Sequence, residues 1–270
     1  MPELPEVETT AAGLRPLLCG HRLRGAHIRE GRLRRPVPAD LDARLRDRPL
    51  CALRRRAKYL IFDFPNGHLL IHLGMSGSLR LAPPDTPPRP HDRVLWRFDH
   101  GLLCLNDPRR FATVLWTTAP VEAHPLLAAL GPEPLGPAFS GAWLHQVSRG
   151  RRVAVKSLLM DGRVVAGVGN IYANEALFTA GIHPARPAGA VGRARYARLA
   201  AALQTVLTAA IAAGGTTLRD FSDGHGRPGY FQQRLAVYGR AGAPCPRCAA
   251  PIRRVVLGQR STYFCPRCQR

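Results

Sequence analysis

Four cysteines near the C-terminus constrain this chain most. They read C-P-R-C at 245–248 and C-P-R-C at 265–268, with sixteen residues between the pairs. A C-x2-C knuckle lets two thiolates converge on one ion, and the intervening segment is long enough to fold as a hairpin that brings both pairs together. Cys245, Cys248, Cys265 and Cys268 are therefore expected to hold one structural zinc ion in a C-terminal zinc-ribbon hairpin over 240–270. A disulfide framework is the plainer alternative, and it is disfavoured because nothing in the chain suggests export. Cys19, Cys51 and Cys104 are scattered among apolar residues and read as small core residues.

Charge narrows the class of partner. The 270 residues carry 39 Lys plus Arg against 18 Asp plus Glu, a formal charge of +21. Such a chain seeks a polyanion, most commonly nucleic acid. A ribosomal-type or membrane-surface protein has the same composition. Arginine supplies nearly all the cations. Lys58 and Lys156 are the only lysines, and they draw attention because a compact ammonium is not interchangeable with a guanidinium. The first thirty residues lack the basic start and apolar block of a signal peptide. The uncharged run 199–218 contains Gln204, four threonines and Gly214-Gly215, which suits a buried helix and its cap better than a bilayer crossing. A soluble, intracellular, bacterial-type protein is expected.

The pattern along the chain predicts an α+β multidomain protein. Residues 5–18 read as a helix, with Pro5 in its first turn and Val7, Ala11, Leu14 and Leu18 on one stripe. From 21 to 117, short runs such as YLIFDF, HLLIHLGM and RVLWRFDH alternate with turn signals. They predict an all-β region, a sandwich or flattened barrel. The proline-rich stretch 82–90 is expected to be an exposed loop. Residues 120–137 read as a linker containing a short helix. Two helices are expected around AGVGN in 154–181. A longer one, with Leu199, Leu203, Val206, Leu207, Ala210 and Ile211 on one face, stops at Gly214-Gly215. The expected domains are 1–118, an N-terminal β-sandwich with a leading helix; 119–137, a linker; 138–239, a helical domain; and 240–270, the zinc hairpin.

The first ten residues, MPELPEVETT, hold three carboxylates and no cation. If Met1 is removed, Pro2 becomes a secondary amine. An α-amino group titrates near 8, about two units below lysine, so more of it is nucleophilic at neutral pH. Attack on an aldehyde-level carbon would give an iminium, and Glu3 and Glu6 could move protons beside it. The bland reading is a helix start, with prolines in the first turn and glutamates on the positive end of the dipole. These residues alone favour the bland reading.

The remaining blocks change the balance. LIHLGMSGSLR (70–80), NDPRRFAT (106–113), VVAGVGNIYANEALFTAGIHP (164–184), GGTTLRDFSDGHGRPGYFQQRLAVYGRAGAPC (214–245) and RSTYFCPRCQ (260–269) follow MPELPEVETT in one order. In these blocks, from end to end, the chain resembles the formamidopyrimidine-DNA glycosylases, which remove 8-oxoguanine and ring-opened purines from DNA. The resemblance implies a helix–two-turn–helix element in the helical domain. It also implies base flipping in damaged duplex DNA, attack of Pro2 on C1′, a Schiff base, and β,δ-elimination. The implied catalytic set is Pro2, Glu3, Glu6, Lys58 and Arg260, with Glu3 as general acid at the sugar ring oxygen.

Lys58, His72, Asn170 and Arg260 match phosphate contacts. Met75, Arg109 and Phe111 match the residues that fill the hole left by the flipped base. Lys156 matches a lysine close to the lesion and its backbone. Thr216 to Tyr230 resembles a mobile loop over the oxidised purine. The start ELPEVE and the pattern through Tyr238 argue against the related endonuclease VIII type, which prefers oxidised pyrimidines. A non-catalytic zinc-ribbon protein that only recognises damage is a third possibility. Ala112, Met160 and Gly162 depart from the usual residues of the family. A monomer bound to DNA in the bacterial cytoplasm, with no membrane association, is the expectation.

Overall fold

The computed structural model describes residues 2–215 and 235–270. They fall into two compact units, 2–128 with 213–215 and 129–212 with 235–270. The junction of the units, between Ala128 and Ala129, falls within the expected linker at 119–137.

The first unit opens with α1 (Leu4–Leu18). Pro5 sits in the first turn, where its missing N–H costs nothing. Leu4, Val7, Ala11, Leu14 and Leu18 recur at helical spacing and are all fully buried. Each leucine or valine so buried contributes roughly 1.5–3 kcal/mol. Two polar contacts tie the helix to its neighbour β3 (Ala52–Arg56). Arg15 Nε donates to the Leu53 carbonyl at 3.0 Å, and Arg55 Nε donates to Glu8 Oε2 at 2.6 Å.

The β region is a sandwich of two antiparallel sheets. One sheet has the order β2-β1-β7-β8-β6, with β1 Arg22–Ile28, β2 Arg48–Pro49, β6 Ser78–Ala82, β7 Asp92–Phe98 and β8 Leu102–Asn106. The other has the order β3-β4-β5-β9, with β4 Tyr59–Phe64, β5 Gly67–His72 and β9 Thr113–Thr117. Leu53, Leu60, Phe62 and Ile71 of the second sheet share one core with Leu23, Val94, Trp96 and Leu105 of the first, and with the stripe of α1. The predicted turn Pro65-Asn66 joins β4 to β5, where Phe64 opposes Gly67. Residues 83–90 are largely exposed, as proline in a loop requires. One helical turn, α2 (Leu41–Leu45), interrupts the expected all-β region. Its Asp42 Oδ1 accepts the Ala26 N–H of β1 at 2.6 Å, so its side chain secures a strand that periodicity alone could not link to it. A 3-10 turn (Val121–Ala123) and α3 (Pro125–Ala128) close this part of the unit.

The second unit is helical with a terminal hairpin. Ser140 caps α4 (Gly141–Ser148) by accepting the Trp143 N–H at 3.1 Å. Then come α5 (Val155–Met160), α6 (Asn170–Ala180) and α7 (Arg193–Ala212). Helices α4 and α6 both pack on α7. Gly141 allows the first approach, since a β-carbon there would lie 2.4 Å from the Ala197 Cα. On α7, Leu199, Leu203, Leu207 and Ala210 are buried as the stripe predicted, while Val206 and Ile211 are not fully buried. The hairpin is β10 (Arg253–Leu257) against β11 (Arg260–Phe264), and β11 packs on α6. Among the described residues, no helix is long and apolar enough to cross a membrane.

Candidate active site and nucleic-acid interface

The first group of candidate residues lies at the start of α1. Glu3 is 2% exposed and Glu6 3%, so two carboxylates are buried next to Pro2. Glu6 Oε2 accepts the Glu3 backbone N–H at 2.8 Å, the return arm of a capping box. Glu6 therefore fixes the backbone that carries Glu3. Gly215 lies against Glu6, and a β-carbon there would come within 3.3 Å of its Cγ and Oε1. Buried carboxylates are rare unless bonded or used. Here each accepts a backbone N–H of the other in the capping box, and Glu3 adjoins the potential amine in sequence.

Lys58 and His72 both come from the four-stranded sheet, one from a turn and the other from a strand end. Arg56 opposes Tyr59, so Ala57 and Lys58 form the two-residue turn between β3 and β4. One strand further on, Tyr59 opposes His72 and their rings stand 4.8 Å apart. The Gly74 N–H donates to His72 Nδ1 at 3.0 Å. A nitrogen that accepts carries no proton, so the neutral ring bears its hydrogen on Nε2. Burial, followed by the charges of Lys58 and Arg34, holds His72 down at about 4. His72 is thus a neutral N–H donor at physiological pH, flanked by cations.

Met75, Arg109 and Phe111 are brought together as expected. Met75 and Phe111 are each 38% exposed, which rules out the ordinary reading of core packing. The Arg109 guanidinium lies over the Phe111 ring, 4.8 Å from its centroid. With His72, Arg34 and Arg110, these residues line a pocket of about 700 Å³. Gly74 shapes it. Its φ is +64°, and a β-carbon would sit 2.3 Å from the Phe111 carbonyl oxygen, so only glycine allows the two loops to touch. An apolar wedge beside a guanidinium is suited to replacing a base and bonding its orphaned partner.

The second unit carries the other candidates. Asn170 opens α6 behind Gly169, and its Nδ2 donates to the Ser261 carbonyl at 3.0 Å. Arg260, the first residue of β11, is exposed, and its guanidinium makes no ion pair among the described residues. Lys156, expected close to the lesion and its backbone, lies on α5. It is 1% exposed, and its Nζ donates to Thr262 Oγ1 at 2.6 Å and to the Ser261 carbonyl at 3.2 Å. The reason is geometric: α5 presents it to the hairpin, where a hydroxyl and a carbonyl supply acceptors that desolvation makes obligatory. Lys156 supports the strand that bears Arg260.

Sequence reasoning missed two neighbours of this latch. Asn174 Oδ1 accepts the Tyr263 N–H at 2.8 Å. Glu175 accepts three backbone N–H groups, from Ala236, Val237 and Tyr238, at 2.8–3.0 Å. Burial pushes the Glu175 carboxyl up, while these three donors pull the other way. The signal was an N-E pair in a helix whose neighbours are apolar on every side, since all of 171–178 is buried.

The four terminal cysteines are unpaired and converge as predicted. Their sulfurs all lie within 4.8 Å of one another, with Cys245 and Cys268 at 3.9 Å and Cys248 and Cys265 at 3.5 Å. A tetrahedral ion with Zn–S bonds of about 2.3 Å places sulfurs roughly 3.8 Å apart, so the set fits zinc. Burial and the neighbouring cysteines push the Cys268 thiol up to about 12, so a cation is needed to hold the group as thiolates. The Arg247 and Cys268 N–H groups donate to Cys245 Sγ and Cys265 Sγ, both at 3.4 Å. No substrate-facing position is left by four protein sulfurs, and the ion is structural. The expected loop at Thr216–Tyr230 lies outside the described residues, as does Met1.

Residues 1–114 match the formamidopyrimidine-DNA glycosylase N-terminal domain, 130–222 its H2TH domain, and 242–270 a zinc finger found in FPG and IleRS. The chain is 61% identical to a formamidopyrimidine-DNA glycosylase of Methylococcus capsulatus and 58% identical to that of Aromatoleum aromaticum, over the full length of each. Among solved structures, MutM (Fpg) of Thermus thermophilus matches with a TM-score of 0.89 at 42% identity, covering 99% of this chain and 98% of that one. A Lactococcus lactis Fpg variant in complex with Fapy-dG DNA matches with 0.93 at 32%, covering all of both. The chain belongs to the formamidopyrimidine-DNA glycosylase family. It is a bifunctional glycosylase and abasic-site lyase for oxidised purines in DNA.

Proposed function

We propose that Pro2, freed of Met1, is the nucleophile. Its lone pair attacks C1′ of the flipped nucleotide, and the base leaves with the electrons of the glycosidic bond and takes up the proton that the Pro2 nitrogen gives away. Glu3 protonates the ring oxygen as the sugar opens, giving an iminium between Pro2 and C1′. That cation is the electron sink for loss of a C2′ proton and departure of the 3′ phosphate. A second elimination expels the 5′ phosphate, and water releases the sugar fragment. Glu6 holds the Glu3 backbone in place. The observation that carries this reading is the pair of buried carboxylates at the start of α1, bonded to one another's backbone and adjoining the chain's second residue.

The phosphate contacts divide between the units. Lys58 supplies a charge and His72 a neutral N–H in the first, and Asn170 and Arg260 act in the second. Met75, Arg109 and Phe111 occupy the space of the extruded base, and Lys156 orients the Arg260 hairpin. The domain roles follow the same division: catalysis in 1–118, a connection in 119–137, DNA grip in 138–239, and a zinc-ordered finger in 240–270. The enzyme works as a monomer in the bacterial cytoplasm. A Lactococcus lactis relative has been solved with DNA containing an oxidised pyrimidine, so substrate preference is best measured directly. Excision of 8-oxoguanine opposite cytosine should exceed that of 5-hydroxycytosine under single-turnover conditions. Faster excision of the pyrimidine would overturn the purine preference.

A further inference from the structure

Asp107, a fully buried carboxylate, stands behind the wedge. Its Oδ1 accepts the Ser76 hydroxyl at 2.7 Å and the Arg109 N–H at 3.2 Å, and its Oδ2 accepts the Ala112 N–H at 2.7 Å. These donors come from both loops that meet at the pocket. Ser76 adjoins Met75, and Arg109 and Ala112 bracket Phe111. The backbone of Asp107 is itself fixed, since its N–H donates to the His91 carbonyl at 2.9 Å and its carbonyl accepts Arg93 Nε at 2.8 Å. Every side-chain partner is a donor, so the position calls for an acceptor with two free oxygens. An amide of the same shape would turn an N–H toward another N–H.

We propose that Asp107 is a positioning residue that locks Met75, Arg109 and Phe111 into one pre-formed wedge, and that its carboxylate sets how well the enzyme extrudes a paired lesion. The proposal rests on the reading of those three residues as base replacements. Preorganisation is the physical reason: a wedge already rigid in the free protein loses little conformational freedom when it enters the stack. Asp107 touches no reacting atom, so the chemical steps should not need it once a nucleotide is already unpaired.

The test compares two substrates in the full-length zinc-loaded enzyme. One is a duplex with 8-oxoguanine opposite cytosine, which demands flipping and filling. The other is a single-stranded abasic oligonucleotide, which demands neither. Asp107→Asn should lower duplex excision at least tenfold and Ser76→Ala about threefold, while both cut the single strand within twofold of wild type. Met75→Ala and Phe111→Ala serve as the control for the wedge itself. If those two excise from duplex normally, the wedge reading fails and the proposal with it. If they lose duplex excision but Asp107→Asn does not, the proposal alone is wrong. Equal losses on both substrates would show that Asp107 only supports the fold and would also overturn it. Should Asp107→Asn fail to fold, Ser76→Ala decides by the same criterion.

Discussion

His72 shows how a single side chain is tuned by its surroundings. Its ordinary value of 6.5 falls to about 4 in the fold. Between those pH values the unfolded chain holds a proton that the folded chain rejects, so stability must fall as pH drops from 6.5 toward 4. At about 1.4 kcal/mol per unit, the loss is at most about 3.5 kcal/mol. His72→Gln should flatten that part of the stability profile, read by thermal melts across pH 4–7. Parallel profiles would show that His72 titrates normally. Other residues were legible in sequence to very different degrees. The cysteines could be proposed from their spacing alone, whereas Pro2 and Glu3 by themselves favour an ordinary helix start and gain a catalytic reading only from the blocks that follow them. Met75 and Phe111 could not, because apolar residues are usually buried and only 38% exposure distinguishes them. The bonds of Lys156 to the hairpin were not legible, because its partners there lie over 100 residues away. The departures are accommodated. Ala112 is fully buried with an ordinary negative φ, and its N–H is taken by Asp107. At Gly162 a β-carbon would meet Leu130 Cδ2 at 3.3 Å, so a larger residue would press on that side chain. Nothing in the structure explains Met160.

At the scale of elements, the helices and strands followed their periodicity, and the associations between them did not. Helix α6 illustrates the difference. AGVGN announced it, and Gly181 closes it with a left-handed cap, but the stripe rule gives no account of a helix with all of 171–178 buried. Its polar residues turn out to latch later backbone, Asn170 and Asn174 on β11 and Glu175 on 236–238. Glu175→Gln exchanges one acceptor oxygen for a donor among three N–H groups. It should cost roughly 1–3 kcal/mol by thermal melting, and an unchanged melting temperature would contradict the latch. Zinc stabilises the same region from the other end. Stripping the ion with a strong chelator should loosen the hairpin carrying Arg260 and weaken duplex binding at least tenfold, restored by added zinc. Undiminished binding by metal-free protein, verified by elemental analysis, would mean that the finger does not organise the grip.

At the scale of the whole molecule, a charge of +21 encloses an acidic beginning. The two serve different parts of one substrate. Cations and neutral N–H donors suit phosphates, whereas carboxylates beside an amine suit a sugar that must gain and lose protons. Composition revealed the first and could not reveal the second, because three glutamates among eighteen acidic residues are statistically ordinary. The burial of Glu3 and Glu6 is what makes them unusual. The division into two units was also only partly legible, since proline and glycine mark a loop without saying which unit each half joins. The central claim is that Pro2 forms a covalent iminium with the sugar. Borohydride reduction during reaction with an abasic duplex tests it most directly. A stable protein–DNA adduct is expected, with the linked peptide beginning at Pro2. Absence of any adduct, or an adduct on a lysine such as Lys58, would contradict it.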